Sequence, residues 1–145
     1  MDQKKWIGVD LDGTLAKSNK GTRNNTIGGP IEAMLNRVKK WIEDGEYEVR
    51  IFTARASDSK QIFGIQKWLD DNGIGGCKIT NQKDGDMLAL FDNIAIRVEE
   101  DTGKICDECL NYLADSNYKF NSQLNHQPAA INQNNFMRHD FLADC

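Results

Sequence analysis

Residues 6–16, WIGVDLDGTLA, decide how this chain is read. Trp6 to Val9 is a short apolar run with β-branched content, which favours a buried strand over a helix. The run ends in carboxylates. Asp10 and Asp12 stand two residues apart, and Gly13 and Thr14 turn the backbone sharply behind them, so both acids can face one reaction centre. Such a pair suits phosphoryl transfer: one carboxylate attacks phosphorus to form an acyl phosphate, while the other donates a proton to the leaving oxygen and later withdraws one from water. The competing readings are a cation-binding turn and a merely solvated one. A calcium loop needs further acids and a closing glutamate downstream, and residues 16–25 contain no acid.

Outward from this stretch the chain alternates strands and helices. Residues 16–29 are polar and aperiodic and read as loop. Pro30 suits the first turn of a helix, in which Ile31, Met34, Leu35, Val38, Trp41 and Ile42 recur at helical spacing until Gly45 stops it. Tyr47 to Thr53 reads as a second strand. Asp58 can cap a helix carrying Ile62, Ile65, Trp68 and Leu69, closed by Gly73. A weaker strand falls at Cys77 to Thr80, and a clear one at Met87 to Phe91, ending at Asp92. Ile94 to Val98 reads either as a fifth strand or as a loop. Ile105 to Ala114 is helical again, with Asp101 or Thr102 as its cap. This order implies an α/β fold with an open, mainly parallel sheet, whose ligands sit beyond the carboxyl ends of the strands. Asp10, Asp12, Thr53 and Asp92 all fall there.

The chain has 145 residues and a net charge of -4. That length accommodates one compact domain without disulfides or a structural metal, expected over residues 1–115. Residues 116–145 are rich in Asn and Gln and too polar for a core of their own. They read as a tail, flexible or docked through its aromatic residues. No stretch approaches the roughly 18 consecutive apolar residues of a membrane helix, and the opening MDQKKWIGVD lacks the apolar run of a signal peptide. A soluble, cytoplasmic protein is therefore expected, with Cys77, Cys106, Cys109 and Cys145 as thiols. Cys106 and Cys109 form a lone CxxC at a helix start, half of a zinc site at most, and read as semi-buried helix thiols. The acidic net charge gives no whole-protein attraction to nucleic acid, so an anionic substrate needs a metal or a focused cationic site.

DLDGTLA at 10–16 after a buried strand resembles the first motif of the haloacid dehalogenase superfamily, and RIFTAR at 50–55 is similar to its second. The resemblance covers about residues 6 to 104. It implies a three-layer Rossmann-like fold and a magnesium-dependent phosphomonoester hydrolase. Asp10 would be the nucleophile and Asp12 the general acid and base, with Asp10 and the Asp12 carbonyl on magnesium. Thr53 would donate to a phosphoryl oxygen, a role that depends on fixed donors where charge gathers. Gly13, Thr14, Ala54 and Arg55 would border the substrate, although Arg55 could equally cap the edge of the site. The family also calls for a lysine. Lys83, in the loop before the last strand, has the better position, and Lys78 is its rival. Asp92 would complete the metal site. Asn93 departs from the pattern, since many members carry a second acid there and an amide offers only a neutral ligand. Asp86 could compensate, at a longer spacing.

Family members often carry a cap domain that selects the substrate, and this chain has room for none. The site should be open, covered by a second copy of the chain or by the tail, or else suited to bulky substrates. IGGPI at 27–31, RIFTAR and TNQK at 80–83 together are similar to small capless members in phage and bacterial genomes. A phosphorylated small molecule, a nucleotide or a nucleic-acid end is the expected substrate by that analogy. Two other classes compete. A phosphoreceiver domain needs an Asp at the end of the third strand, where this chain has Ile79, Thr80 and Asn81. A non-catalytic phosphate-binding module would treat Asn93 as the mark of a decayed site.

Overall fold

The structure, a computed structural model, describes residues 3–19 and 26–115. Its elements in chain order are β1 (Trp6–Val9), α1 (Glu32–Asp44), β2 (Glu48–Phe52), a short 3-10 turn (Ala54–Ser57), α2 (Ser59–Asp71), β3 (Lys78–Thr80), β4 (Met87–Phe91) and α3 (Asp107–Asp115). The four strands form one parallel sheet in the order β3-β2-β1-β4. The protein is thus α/β with an all-parallel sheet, compatible with a Rossmann-like arrangement. The chain divides into two compact units, Met1–Ala95 and Ile96–Cys145. The expected tail at 116–145 lies outside the described residues. No helix among the described residues is long and apolar enough to cross a membrane.

Alternation along the strands sorts the sheet's two faces. Ile7, Val9, Val49 and Ile51 point to one face, where Met34, Leu35 and Val38 of α1 and Ile65 and Leu69 of α2 close over them in a single apolar cluster. Both helices are amphipathic, as their spacing predicts. Gly45 ends α1 in the left-handed conformation, at φ 65°, and returns its N–H to the Trp41 carbonyl. The Asp58 carboxylate caps α2 by accepting from the Lys60 N–H. Pro30 does not enter the first turn of α1. Lys17 N–H bonds the Gly29 carbonyl and Ile31 N–H bonds the Leu15 carbonyl, each at 2.8 Å. These two bonds hold the chain extended beside residues 15–17, so the helix begins only at Glu32.

The second face carries Trp6, Glu48, Arg50 and Phe52 and has no helix in the unit Met1–Ala95. The connection from β3 to β4 crosses it instead. Asp84 of that connection accepts from the buried Trp6 indole at 2.7 Å and from Arg50 at 3.4 Å, while the Arg50 guanidinium lies 4.4 Å over the Trp6 ring. Arg50 is also held by Glu48, which keeps the Glu48 carboxyl below its usual range. The three-layer arrangement is therefore not reproduced within this unit: one layer of helices and one polar strap enclose the sheet.

Ile94–Val98 is not a strand. Val98 makes only an isolated bridge to Ile105, around a turn in which Asp101 and Gly103 both take positive φ. Asp101 therefore serves the turn, and α3 begins later, at Asp107, with the Leu110 N–H bonded to the Cys106 carbonyl. Cys109 is a free, half-buried thiol, whereas Cys106 is engaged in a disulfide, so the reading of two helix thiols is corrected for Cys106.

Gly8, at the middle of β1, faces the strap side. A Cβ there would meet Met87 Cε at 2.8 Å, Leu90 Cδ1 at 3.2 Å and Phe52 Cβ at 3.3 Å. Gly8→Ala is expected to lower the unfolding free energy by about 1 kcal/mol, overpacking outweighing the entropy gained from removing a glycine. Urea melts of the two proteins check this; equal stability would mean the face is loosely packed.

Candidate active site at the carboxyl edge of the sheet

β1 is buried at every position, and its ladder runs one residue past its end, where Asp10 N–H bonds the Phe91 carbonyl at 2.9 Å. The chain then closes on itself. Thr14, Leu15 and Ala16 all donate to the Leu11 carbonyl, and Gly13 donates to the Ala16 carbonyl. Leu11 and Leu15 are fully buried and pin this loop to the core. In DLDGTL the leucines are anchors, and the acids on either side of Leu11 are left at the rim. Gly13 is required twice, by its φ of 90° and by the Asn93 amide, which a Cβ would meet at 2.8 Å.

Asp10 is half-buried. Its Oδ2 accepts from the Thr14 hydroxyl at 3.2 Å, and Thr14 in turn accepts from the Asn93 N–H at 3.0 Å. Burial, followed by the neighbouring Asp92 carboxylate, raises the Asp10 pKa to about 6, against the opposing hydrogen bond from Thr14. The carboxylate is thus short of positive charge.

The Asn93 side chain sits directly against it. With its nitrogen inward, the amide donates to Asp10 Oδ2 at 3.0 Å, to the Asp12 carbonyl at 3.2 Å and to Thr14 Oγ1 at 3.2 Å. Asn and Gln amides are nearly isosteric in their two orientations. With the oxygen inward, the amide oxygen stands at these same distances from the Asp10 carboxylate and the Asp12 carbonyl and faces acceptors only. Oxygens about 3 Å apart are spaced as neighbours around a small hard cation with bonds of about 2.1 Å. Carboxylate, carbonyl and amide oxygens are the donor type that magnesium takes. The set is not a cluster of acids: no group of three or more His, Cys, Asp or Glu side chains suited to a metal gathers among the described residues. Asp92 lines the same cleft, with its Oδ1 accepting from the Ile94 N–H at 2.8 Å.

The Asp12 carboxylate turns the other way. Arg55 Nε and Nη2 grip its two oxygens at 2.7 and 2.8 Å, and the guanidinium is further held by Gln61 at 3.1 Å. The Asp12 contact raises the Arg55 pKa. Thr53 ends β2 almost fully buried, and its hydroxyl accepts from the Arg55 N–H at 3.2 Å, so the 3-10 turn that follows presents Arg55 to Asp12.

These groups line a cleft of about 340 Å³. Asp10, Asp12, Thr53, Ala54, Arg55, Asp92 and Asn93 are all on its wall. Gly13 and Thr14 lie behind the carboxylates and shape them. Lys83 is exposed in the strap across the sheet's second face and is not on the wall, because that connection leaves the carboxyl edge to reach the start of β4. Lys78 is drawn to Glu48 at 3.0 Å, and Asp86 to Lys5 at 2.8 Å. The structure thus brings neither lysine to Asp10. Ser18, Asn19, Thr26 and Ile94 also line the cleft. Asn19 Nδ2 bonds the Thr26 carbonyl at 3.1 Å, a pairing within a polar loop that no periodicity could signal.

Without a cation, the Asp10 charge costs stability. The folded protein holds this proton to about pH 6, whereas an ordinary aspartyl carboxyl releases it near 3.8. Folding is then favoured by protonation, and stability falls as pH rises through that window. Asp10→Asn is expected to stabilise the protein in EDTA at pH 7 by about 1–2 kcal/mol, allowing for solvent screening at this half-buried position, and to give little gain below pH 4. Urea unfolding at the two pH values measures it. A loss of stability at pH 7 would mean that donors outweigh the burial.

Comparison of the chain with protein-family models, with curated proteins and with solved structures finds no match in any of the three.

Proposed function

We propose that this protein is a magnesium-dependent phosphomonoester hydrolase, of the haloacid dehalogenase type that its motifs resemble, with Asp10 as nucleophile. The observation that carries the reading is the meeting of the Asp10 carboxylate, the Asp12 carbonyl and the Asn93 amide at the end of the central strand, beside the Thr53 hydroxyl. Asp10, Asp12 and Asn93 would hold the ion, with Asp92 close by. Magnesium bound there would neutralise the nucleophile and the phosphoryl oxygens as they approach each other.

Asp10 attacks phosphorus, so that an Asp10 oxygen–phosphorus bond forms as the ester bond breaks. Asp12 delivers a proton to the departing oxygen. In the second half, Asp12 takes a proton from water, the water oxygen attacks phosphorus, and Asp10 is regenerated with release of phosphate. Thr53 offers its hydroxyl to a phosphoryl oxygen. Arg55 has two roles in this account. At rest it forks onto Asp12, and when an anionic phosphate enters it exchanges Asp12 for the substrate, which frees Asp12 to carry a proton.

The same Arg55–Asp12 pair favours one rival, a phosphate-binding module in which Asp12 stays bound to Arg55. Turnover separates the two. Phosphate release from p-nitrophenyl phosphate is expected with magnesium, absent in EDTA, and lowered by a thousandfold or more, on the order of a nucleophile's contribution, in Asp10→Asn. Magnesium-independent turnover, or an active Asp10→Asn protein, would contradict the hydrolase. A phosphate affinity without turnover would favour the module.

Asn93 tests the metal donors apart from catalysis. Replacing a neutral ligand by a charged one raises affinity for a hard cation. Asn93→Asp is expected to bind magnesium about tenfold or more tightly by calorimetry. An unchanged or weaker affinity would place the cation elsewhere.

A further inference from the structure

Arg55 is held at both of its ends. Its backbone N–H donates to the Thr53 hydroxyl at 3.2 Å, and its carbonyl accepts from the Asp58 N–H at 3.1 Å. At the far end Nη1 donates to Gln61 Oε1 at 3.1 Å, while Nε and Nη2 make the fork on Asp12. A guanidinium carries its five N–H donors in one plane. An anchor on Nη1 therefore fixes that plane and leaves the edge formed by Nε and Nη2 turned toward Asp12. Gln61 is itself anchored. Its Nε2 donates to Asp58 Oδ2 at 3.3 Å and its backbone N–H to the Asp58 carbonyl at 3.0 Å, while Asp58 Oδ1 caps α2 through the Lys60 N–H. A chain of bonds thus runs from the first turn of α2 through Asp58 and Gln61 to Arg55 and Asp12.

The chemistry of residue 61 suits this place. An amide between a cation and a carboxylate satisfies both neighbours in one orientation only, with its oxygen toward Arg55 and its nitrogen toward Asp58, and both bonds are made in that orientation. Being neutral, it holds the guanidinium without cancelling its charge. A glutamate would pair with Arg55, compete with an incoming anion and face the Asp58 carboxylate. Gln61 also stands back from the cleft: it lines the neighbouring opening, whose wall shares Arg55 with the cleft. Its influence on a ligand must therefore pass through Arg55. An arginine without such an anchor has a long side chain to order when a ligand arrives, and that ordering weakens binding.

We propose that Gln61 is a positioning residue, which keeps the Arg55 plane fixed while the edge of Nε and Nη2 passes from the Asp12 carboxylate to two oxygens of a phosphate. The capture of phosphate rests on the hydrolase reading; the hold on Arg55 does not. Carboxylates and phosphates both offer a guanidinium a pair of oxygens in the same fork geometry. With Nη1 retained by Gln61, the exchange needs a short displacement and no swing of the side chain out of the cleft.

Two readouts test this, the first without ligand or metal. The coupling between Arg55 and Asp12 is measured from urea unfolding in EDTA as a double-mutant cycle of Arg55→Ala and Asp12→Ala, once in the wild-type background and once with Gln61→Met. Methionine matches glutamine in length and favours helix, and the cycle cancels any change in helix stability that Gln61→Met brings by itself. The coupling is expected to be on the order of tenfold in the unfolding constant in the wild-type background and about threefold or less with Gln61→Met. The second readout is turnover of p-nitrophenyl phosphate with magnesium. Gln61→Met is expected to raise KM about fivefold with little change in kcat, as for a contact made equally before and during reaction, and to add nothing to the effect of Arg55→Ala. An undiminished coupling overturns the proposal, as does a fall in kcat at unchanged KM or a KM effect that persists in full alongside Arg55→Ala. The two proposals fail separately. Reduced coupling with no turnover in any of the proteins supports the positioning role against the hydrolase, and turnover with undiminished coupling does the reverse.

Discussion

A carboxylate placed at the end of a fully buried central strand is the constraint on which the rest of this structure depends. β1 is flanked by β2 and β4 and covered on one face by α1 and α2, so Asp10 cannot retreat into solvent. Leu11 and Leu15 anchor the loop behind it, and Asp92 emerges from the adjacent strand end. These features position the acid, and burial first, then the Asp92 carboxylate, raises its pKa to about 6. The Thr14 hydroxyl and the Leu11 backbone offset part of that cost with hydrogen bonds. Two or three oxygens brought together under strain of charge are what a divalent cation relieves, which connects the energetics of the fold to the chemistry proposed for it.

The second acid meets the opposite treatment. Asp12 has both oxygens taken by Arg55, which the turn after Thr53 delivers to it. The two carboxylates of one short motif are thereby separated in role by their neighbours: one is left wanting a cation, and the other already holds one that a phosphate could draw away. The neutral Asn93 fits this division. A second acid in its place would strengthen the hold on a metal, but would add another charge to the crowd around Asp10.

Much of this was legible in the residues. The apolar run before Asp10 gave β1 to the residue, Gly45 and Asp58 marked helix ends by the physics of left-handed caps and N-caps, and the strand ends brought Asp10, Asp12, Thr53 and Asp92 to one cleft. What escaped depended on contacts between distant segments. Pro30 suits a helix start locally, but the ladder beside Leu15 and Lys17 overrides it. Lys83 has the right distance along the chain from β4, yet the strap on which it lies is tied across the other face by Asp84, Trp6 and Arg50. The Arg55 fork on Asp12 spans 43 residues, and no spacing rule announces it. Cys106 looked like a helix thiol because a CxxC pattern says nothing about partners elsewhere.

The central claim is that Asp10 itself takes up the phosphoryl group. The direct measurement is an acid-quenched reaction with p-nitrophenyl phosphate, digested and read by mass spectrometry for a phosphoryl group on the peptide that contains Asp10. The account predicts that label on Asp10, formed with magnesium and lost on chase with water. Turnover with no label on the protein, or with the label on another residue such as Thr53, would contradict it.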